Sequence, residues 1–214
     1  MKSSHLTQRP GIALKAIFVS LLSSGAAFAH HPNGMQLPDS FATGFMSGMG
    51  HPVIGLDHLA FVIAVGLLSL RFEKRFLMPL AFVVTTVLGT LLHISGVNIP
   101  TVELMIGISV LLAGGAAMFR NALSWKVAAG LFAVSGLFHG YAYGESIYGA
   151  EATPLLSYLA GFAAIQYGIS VAVMEAVRVL GKSTVDEPSP AMRLGGAMVA
   201  GIAVVFIHGH VIPV

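Results

Sequence analysis

The chain contains no cysteine. Its absence removes disulfides, thiolate metal sites and cysteine nucleophiles together. Any metal has to be held by imidazole, carboxylate, backbone or thioether, a donor set that suits nickel, cobalt, zinc or copper(II). Charge is scarce as well. Only 9% of the 214 residues are charged, against about 25% in a soluble domain. The net charge of +2 is too small to point to nucleic acid. There is no clear internal repeat, and GKSTVDEPSPA (181–191) is the only convincing polar linker. What fills the chain instead is apolar: 56% of residues are hydrophobic, mean hydropathy is +0.84, and apolar runs of about 20 residues recur. The expectation is an all-α, polytopic membrane helix bundle.

Residues 1–29 carry Lys2, Arg9 and Lys15, then AIFVSLLSSGAAFA, and end on Ala27-Phe28-Ala29. The apolar stretch is too short to span comfortably and ends on a small-residue cleavage signal, as in a cleavable signal peptide; an uncleaved first helix is the alternative. Residues 30–214 then form a single transmembrane domain. Six apolar segments follow, at about 51–70, 76–96, 101–119, 124–142, 155–178 and 193–212. With the new amino terminus outside, RFEKR (71–75), Arg120, Lys126, Arg178, Lys182 and Arg193 all fall on the cytoplasmic side. The other connections carry no Lys or Arg. The expected location is the inner (plasma) membrane, with both ends of the mature chain extracytoplasmic. Small residues at Gly44/Gly48, Gly136/Gly140, Gly140/Gly144 and Ala197/Gly201 have the spacing that lets membrane helices approach closely. FATGFMSGMG (41–50) reads as a short interfacial or re-entrant piece.

On this topology the eight histidines beyond residue 29 all sort to the outer side: His30, His31, His51, His58, His93, His139, His208 and His210. Asp57, Glu103 and Glu145 join them. An aspartate within a membrane segment is costly and usually functional, so Asp57 stands out. His51 and His58 share a face two turns apart, roughly 10 Å along a regular axis, too far to bind one ion together. Pro52 suits the first helical position, which makes His51 a cap-like residue, and Gly55 allows a bend. Either the backbone is irregular here or the two histidines are successive stations on one path. Taken singly, each residue has a duller role: an interfacial histidine for His51 or His93, a buried and satisfied one for His58, a solvated carboxylate for Glu145, a dipole-favoured one for Glu103. Convergence on one side carries the reading.

HPVIGLDH (51–58) resembles a signature of the HupE/UreJ family of nickel and cobalt permeases, and FHGYAYGE (138–145) resembles its second motif. The resemblance covers essentially the whole mature chain. It implies six spans, uptake of Ni²⁺ or Co²⁺, and a role for His51, Asp57, His58, His139 and Glu145. His93 and Glu103 are added from position alone. Tyr143 stands where the family often carries another histidine, which implies one ligand fewer.

The leading expectation is therefore a permease and not an enzyme, with His51, Asp57, His58, His93, Glu103, His139 and Glu145 as the metal-binding set. The metal is cargo, so no resident cofactor is expected. The partners are the divalent ion and the lipid bilayer, with a homo-oligomer left open. One alternative is an intramembrane zinc hydrolase using His58, His139 and His208, although HExxH is absent. Another is a metal-binding membrane protein that does not transport. AVRVLGKS (176–183) fits a relaxed phosphate-loop pattern, but it ends a membrane helix and is read as coincidence. Thr85, Thr86, Ser109, Ser135, Gln166 and Ser170 are candidates for the inner path or for bonds to their own backbone.

Overall fold

The computed structural model of the protein describes residues 37–119, 123–181 and 188–212. They form seven helices: α1 (Phe41–Ile54), α2 (Leu56–Ser69), α3 (Met78–Ile94), α4 (Val102–Met118), α5 (Trp125–Glu145), α6 (Ala152–Gly181) and α7 (Pro190–Val211). The expected signal peptide, His30 and His31 lie outside the described residues. Side-chain caps fix several starts. Ser40 and Thr43 form a reciprocal capping box on α1, and Ser124 and Ser189 accept the N–H of Val127 and Met192. The described part of AVRVLGKS, 176–181, is the end of a helix, where a phosphate loop needs a turn after a strand.

The expected continuous segment 51–70 is two helices. Pro52 lies in the last turn of α1 and has no N–H to give to the carbonyl one turn back. Gly55 then leaves helical geometry (φ −74°, ψ 108°), and the chain turns through 82° into α2. Asp57 Oδ1 accepts the N–H of His58 at 2.9 Å, satisfying a donor in the first turn of α2. Two expectations change as a result. Residues 41–50 are the body of a 14-residue helix and not a short piece, while the bend into α2 is that of a broken span or a re-entrant pair; His51 sits inside α1 near its end instead of capping the next helix.

Helix α2 is the axis of the bundle. It packs against all six other helices. From Ala60 to Leu70 every residue but Ile63 is buried, and the helix is apolar all round, as a central helix must be. Around it, Leu88, Leu112, Val134, Leu156 and Met198 are exposed on five different helices. An apolar surface of this extent belongs in lipid. Helices α6 and α7 are each long and apolar enough to cross a membrane, and the bent α1–α2 pair passes the same test when joined. Helices α3 and α4 have 17 residues each, near the lower limit for a span. The protein is a membrane protein by this surface and these lengths.

Small residues set the crossings. Gly44 and Gly48 of α1 lie against the backbone of Pro154 and Tyr158 on α6, so those two helices run in the same direction. Gly136, Gly140 and Gly144 of α5 lie against Thr85, Thr86 and His93 of α3, again in parallel. Helices α4 and α7 are antiparallel, with Gly107 beside Ile207 and Gly114 beside Gly196. The Ala197/Gly201 pattern is not used: Ala197 is exposed and nothing lies within 4 Å of a Cβ built on Gly201. The contact falls one position earlier, on Gly196, because that is the residue facing α4.

These directions give the bundle two chemically different ends. One gathers the starts of α2, α4 and α6 with the ends of α3, α5 and α7, and holds the histidines. The other holds the described Lys and Arg side chains. There Arg71 Nη1 donates to the Phe119 carbonyl at 2.6 Å, and Glu175 meets Arg178 at 2.6 Å and Arg75 at 3.7 Å. Most of the hydroxyls considered for an inner path bond backbone carbonyls: Thr86 to Val83, Ser109 to Ile106 and Ser170 to Val62.

Candidate metal centre

The break at Gly55 brings His51 and His58 together. Their ring centroids are 5.8 Å apart, well inside the separation a continuous helix imposes. His51 is anchored from the far side of the sequence. Its Nδ1 lies 3.0 Å from Ser146 Oγ and 3.1 Å from Tyr158 Oη. Both hydroxyls also reach the Tyr143 carbonyl, at 3.0 and 3.1 Å. That carbonyl can only accept, so hydroxyl protons directed to it leave their oxygens as acceptors for an N–H at His51 Nδ1.

His58 is held by a second chain of bonds. Its Nδ1 lies 2.9 Å from Nδ1 of His139, and Nε2 of His139 lies 3.1 Å from Ser109 Oγ. Ser109 donates its proton to the Ile106 carbonyl at 2.7 Å. Its oxygen is then an acceptor, so His139 carries its proton on Nε2 and accepts at Nδ1. His58 must donate from Nδ1, which leaves the lone pair of His58 on Nε2. Nε2 has no hydrogen-bond partner among the described residues. His58 keeps 7% of its surface and His139 keeps none, so His58 is the member of the pair that retains contact with solvent.

The carboxylates frame this nitrogen. Asp57 is buried beside His58. Glu103, at the start of α4, is in electrostatic reach of His58, Asp57, His210 and Glu145. Glu103, Glu145, His208 and His210 all present exposed side chains at the histidine end. His93 stands apart, its ring packed 4.5 Å from that of Tyr141 and 6.0 Å from that of Tyr148. Among the described residues, no three His, Asp or Glu side chains converge on one point. The seven expected residues thus do not form one cage. Three of them form a file, His51–His58–His139, with carboxylates at its mouth. The zinc arrangement of His58, His139 and His208 is not assembled either, since both ring nitrogens of His139 already have protein partners.

Sequence reasoning missed Ser146 and Tyr158, and it read Ser109 only as a residue of the path. Nothing local flags them. Ser146 is 95 residues from the imidazole it holds. Gly55 has a second duty that a motif alone does not reveal. A Cβ there would sit 2.8 Å from Cδ2 of His58 and 3.3 Å from Oδ1 of Asp57, although the backbone itself accepts alanine. Gly55→Ala is expected to leave the fold intact, with little change in thermal melting. It should displace the His58 ring, read as a shift of its imidazole NMR signals, because the new methyl takes the space against Cδ2.

A family model described as HupE / UreJ protein matches residues 17–206. The chain is also 33% identical over 125 residues to Protein HupE of Rhizobium leguminosarum bv. viciae. That match takes in 58% of this chain, which spans 64% of the length of the relative. No solved structure matches.

Proposed function

The chain belongs to the HupE/UreJ family, and from that premise we propose that it is a permease for a divalent transition-metal ion, nickel or cobalt. The observation that carries this reading is the His58–His139–Ser109 relay, which aims an unpaired imidazole nitrogen at the histidine end beside a buried aspartate. The ion arrives hydrated at the exposed carboxylates Glu103 and Glu145. His58 replaces part of its water shell, and Asp57 offsets its charge where the dielectric falls. His139 orients His58 from beneath, and His51 is the neighbouring station.

In this reading the chain crosses the membrane six times, with the α1–α2 pair as one broken span. The Lys and Arg end is cytoplasmic, and the histidine end opens outside the inner membrane. An inside-negative potential then pulls the ion inward with about 4.6 kcal/mol per 100 mV for a divalent charge, enough for accumulation without ATP.

The test is uptake of radioactive nickel and cobalt into proteoliposomes. Uptake should rise with an imposed inside-negative potential and be absent from empty vesicles. Equal counts in protein-containing and empty vesicles overturn the proposal. The relay makes a finer prediction. Ser109→Ala removes the acceptor that fixes the His139 proton, and metal affinity should fall by about tenfold, as is usual when a ligand's supporting partner is lost.

A further inference from the structure

Two phenols lie buried at the histidine end, and they are in different states. Tyr158 is fully engaged, its hydroxyl bonding Ser146, His51 and the Tyr143 carbonyl. Tyr143 is equally buried, at 0% exposure, yet its hydroxyl has no hydrogen-bond partner among the described residues. Buried hydroxyls are normally satisfied, so one left over calls for a reason. Its position supplies one. The Tyr143 ring stands edge-on to both imidazoles of the file, with centroids 4.9 Å from His51 and 4.6 Å from His58. Phe162 backs it at 5.5 Å and holds it in place.

We propose that Tyr143 is the specificity-determining residue of this site: its hydroxyl bonds a water retained by the ion on His58. This rests on the reading of His58 as the metal-binding group. The consequence is selective. Zinc is held best by four protein donors in a tetrahedron. A site where no three His, Asp or Glu side chains converge among the described residues, and that preserves bound water, instead suits an ion that keeps a six-coordinate, water-rich shell, as hydrated nickel and cobalt do.

The experiment is titration calorimetry of nickel and zinc chloride into the full-length protein in detergent, for wild type, Tyr143→Phe and His58→Ala, with thermal melting of each metal-free protein. Phenylalanine keeps the ring and deletes only the hydroxyl. Nickel affinity should fall about five- to tenfold, the worth of one hydrogen bond, and zinc affinity should change less. The metal-free variant should melt about 2–4 °C higher, because an unsatisfied buried group is gone. A merely structural hydroxyl gives a lower melting point, or a variant that does not fold, and either outcome overturns the inference. Unchanged nickel affinity in Tyr143→Phe, with binding abolished in His58→Ala, overturns the role of Tyr143 and leaves the permease reading standing. Wild type that binds no nickel, or His58→Ala that binds nickel like wild type, brings down both.

Discussion

Asp57→Asn is expected to abolish nickel or cobalt uptake in cells while the protein still reaches the membrane in normal amount. The substitution is nearly isosteric. Its side-chain oxygen can still accept the His58 N–H that Asp57 accepts at 2.9 Å, so the start of α2 keeps its bond. Only the charge is lost. For a divalent ion at about 6 Å from a carboxylate and an effective dielectric of about 20, the attraction is about 5.5 kcal/mol. Desolvation offsets part of this, but even half of it amounts to about two orders of magnitude in affinity. His58→Ala should have the same effect on uptake by removing the aimed nitrogen. It also strands His139 Nδ1, a buried acceptor, at a cost of about 1–3 kcal/mol, so its membrane level must be measured alongside. Normal uptake with either variant removes that residue from the site.

The second large effect concerns the packing that builds the site. Gly140→Leu should leave little folded protein: the detergent extract should aggregate on size-exclusion chromatography, and uptake should be lost with it. A Cβ at this position would run into the carbonyl, carbonyl carbon and Cα of Thr86, all backbone atoms with no rotamer to move to. Helices α3 and α5 must separate, and the bond from Thr90 Oγ1 to the Gly140 carbonyl at 2.8 Å breaks as they do. Overpacking of flexible cores costs about 1–3 kcal/mol, and a clash with rigid backbone lies at or beyond the upper end. Gly201→Leu is the matched control. It carries the same change in side chain on an equally apolar helix, with nothing within 4 Å, and should behave as wild type. Equal extraction and elution of the two variants would show that the α3–α5 contact is not what these glycines serve.

The paired comparison shows where a motif stops being informative. Gly140 and Gly201 both satisfy a small-residue spacing in the sequence, yet only Gly140 lies at a crossing. Spacing says that a helix can offer a narrow face. Which face meets a neighbour depends on the rotation of both helices, and that is settled by all their contacts together. The histidines repeat the lesson. Their collection at one end follows from hydropathy and chain order, since alternate spans must return to the same side. Their division into His58, which keeps a little exposure, and His139, which bonds it from the buried side, goes with Ser109, 30 residues before His139. His93 passed the same positional test and sits with two tyrosines instead.

Composition alone made this chain a membrane protein of helices with no thiol chemistry. The order of its apolar segments put imidazoles at one end and arginines and lysines at the other. Those are one-dimensional properties: transfer to lipid is decided nearly residue by residue, and a span must leave on the side opposite the one it entered. The break at Gly55, the tautomer of His58 and the unanswered hydroxyl of Tyr143 were decided only by the folded structure. Each depends on a proton or a close approach shared between residues far apart in the chain, and hydrogen bonds of 3 Å are set by coordinates that no local pattern encodes.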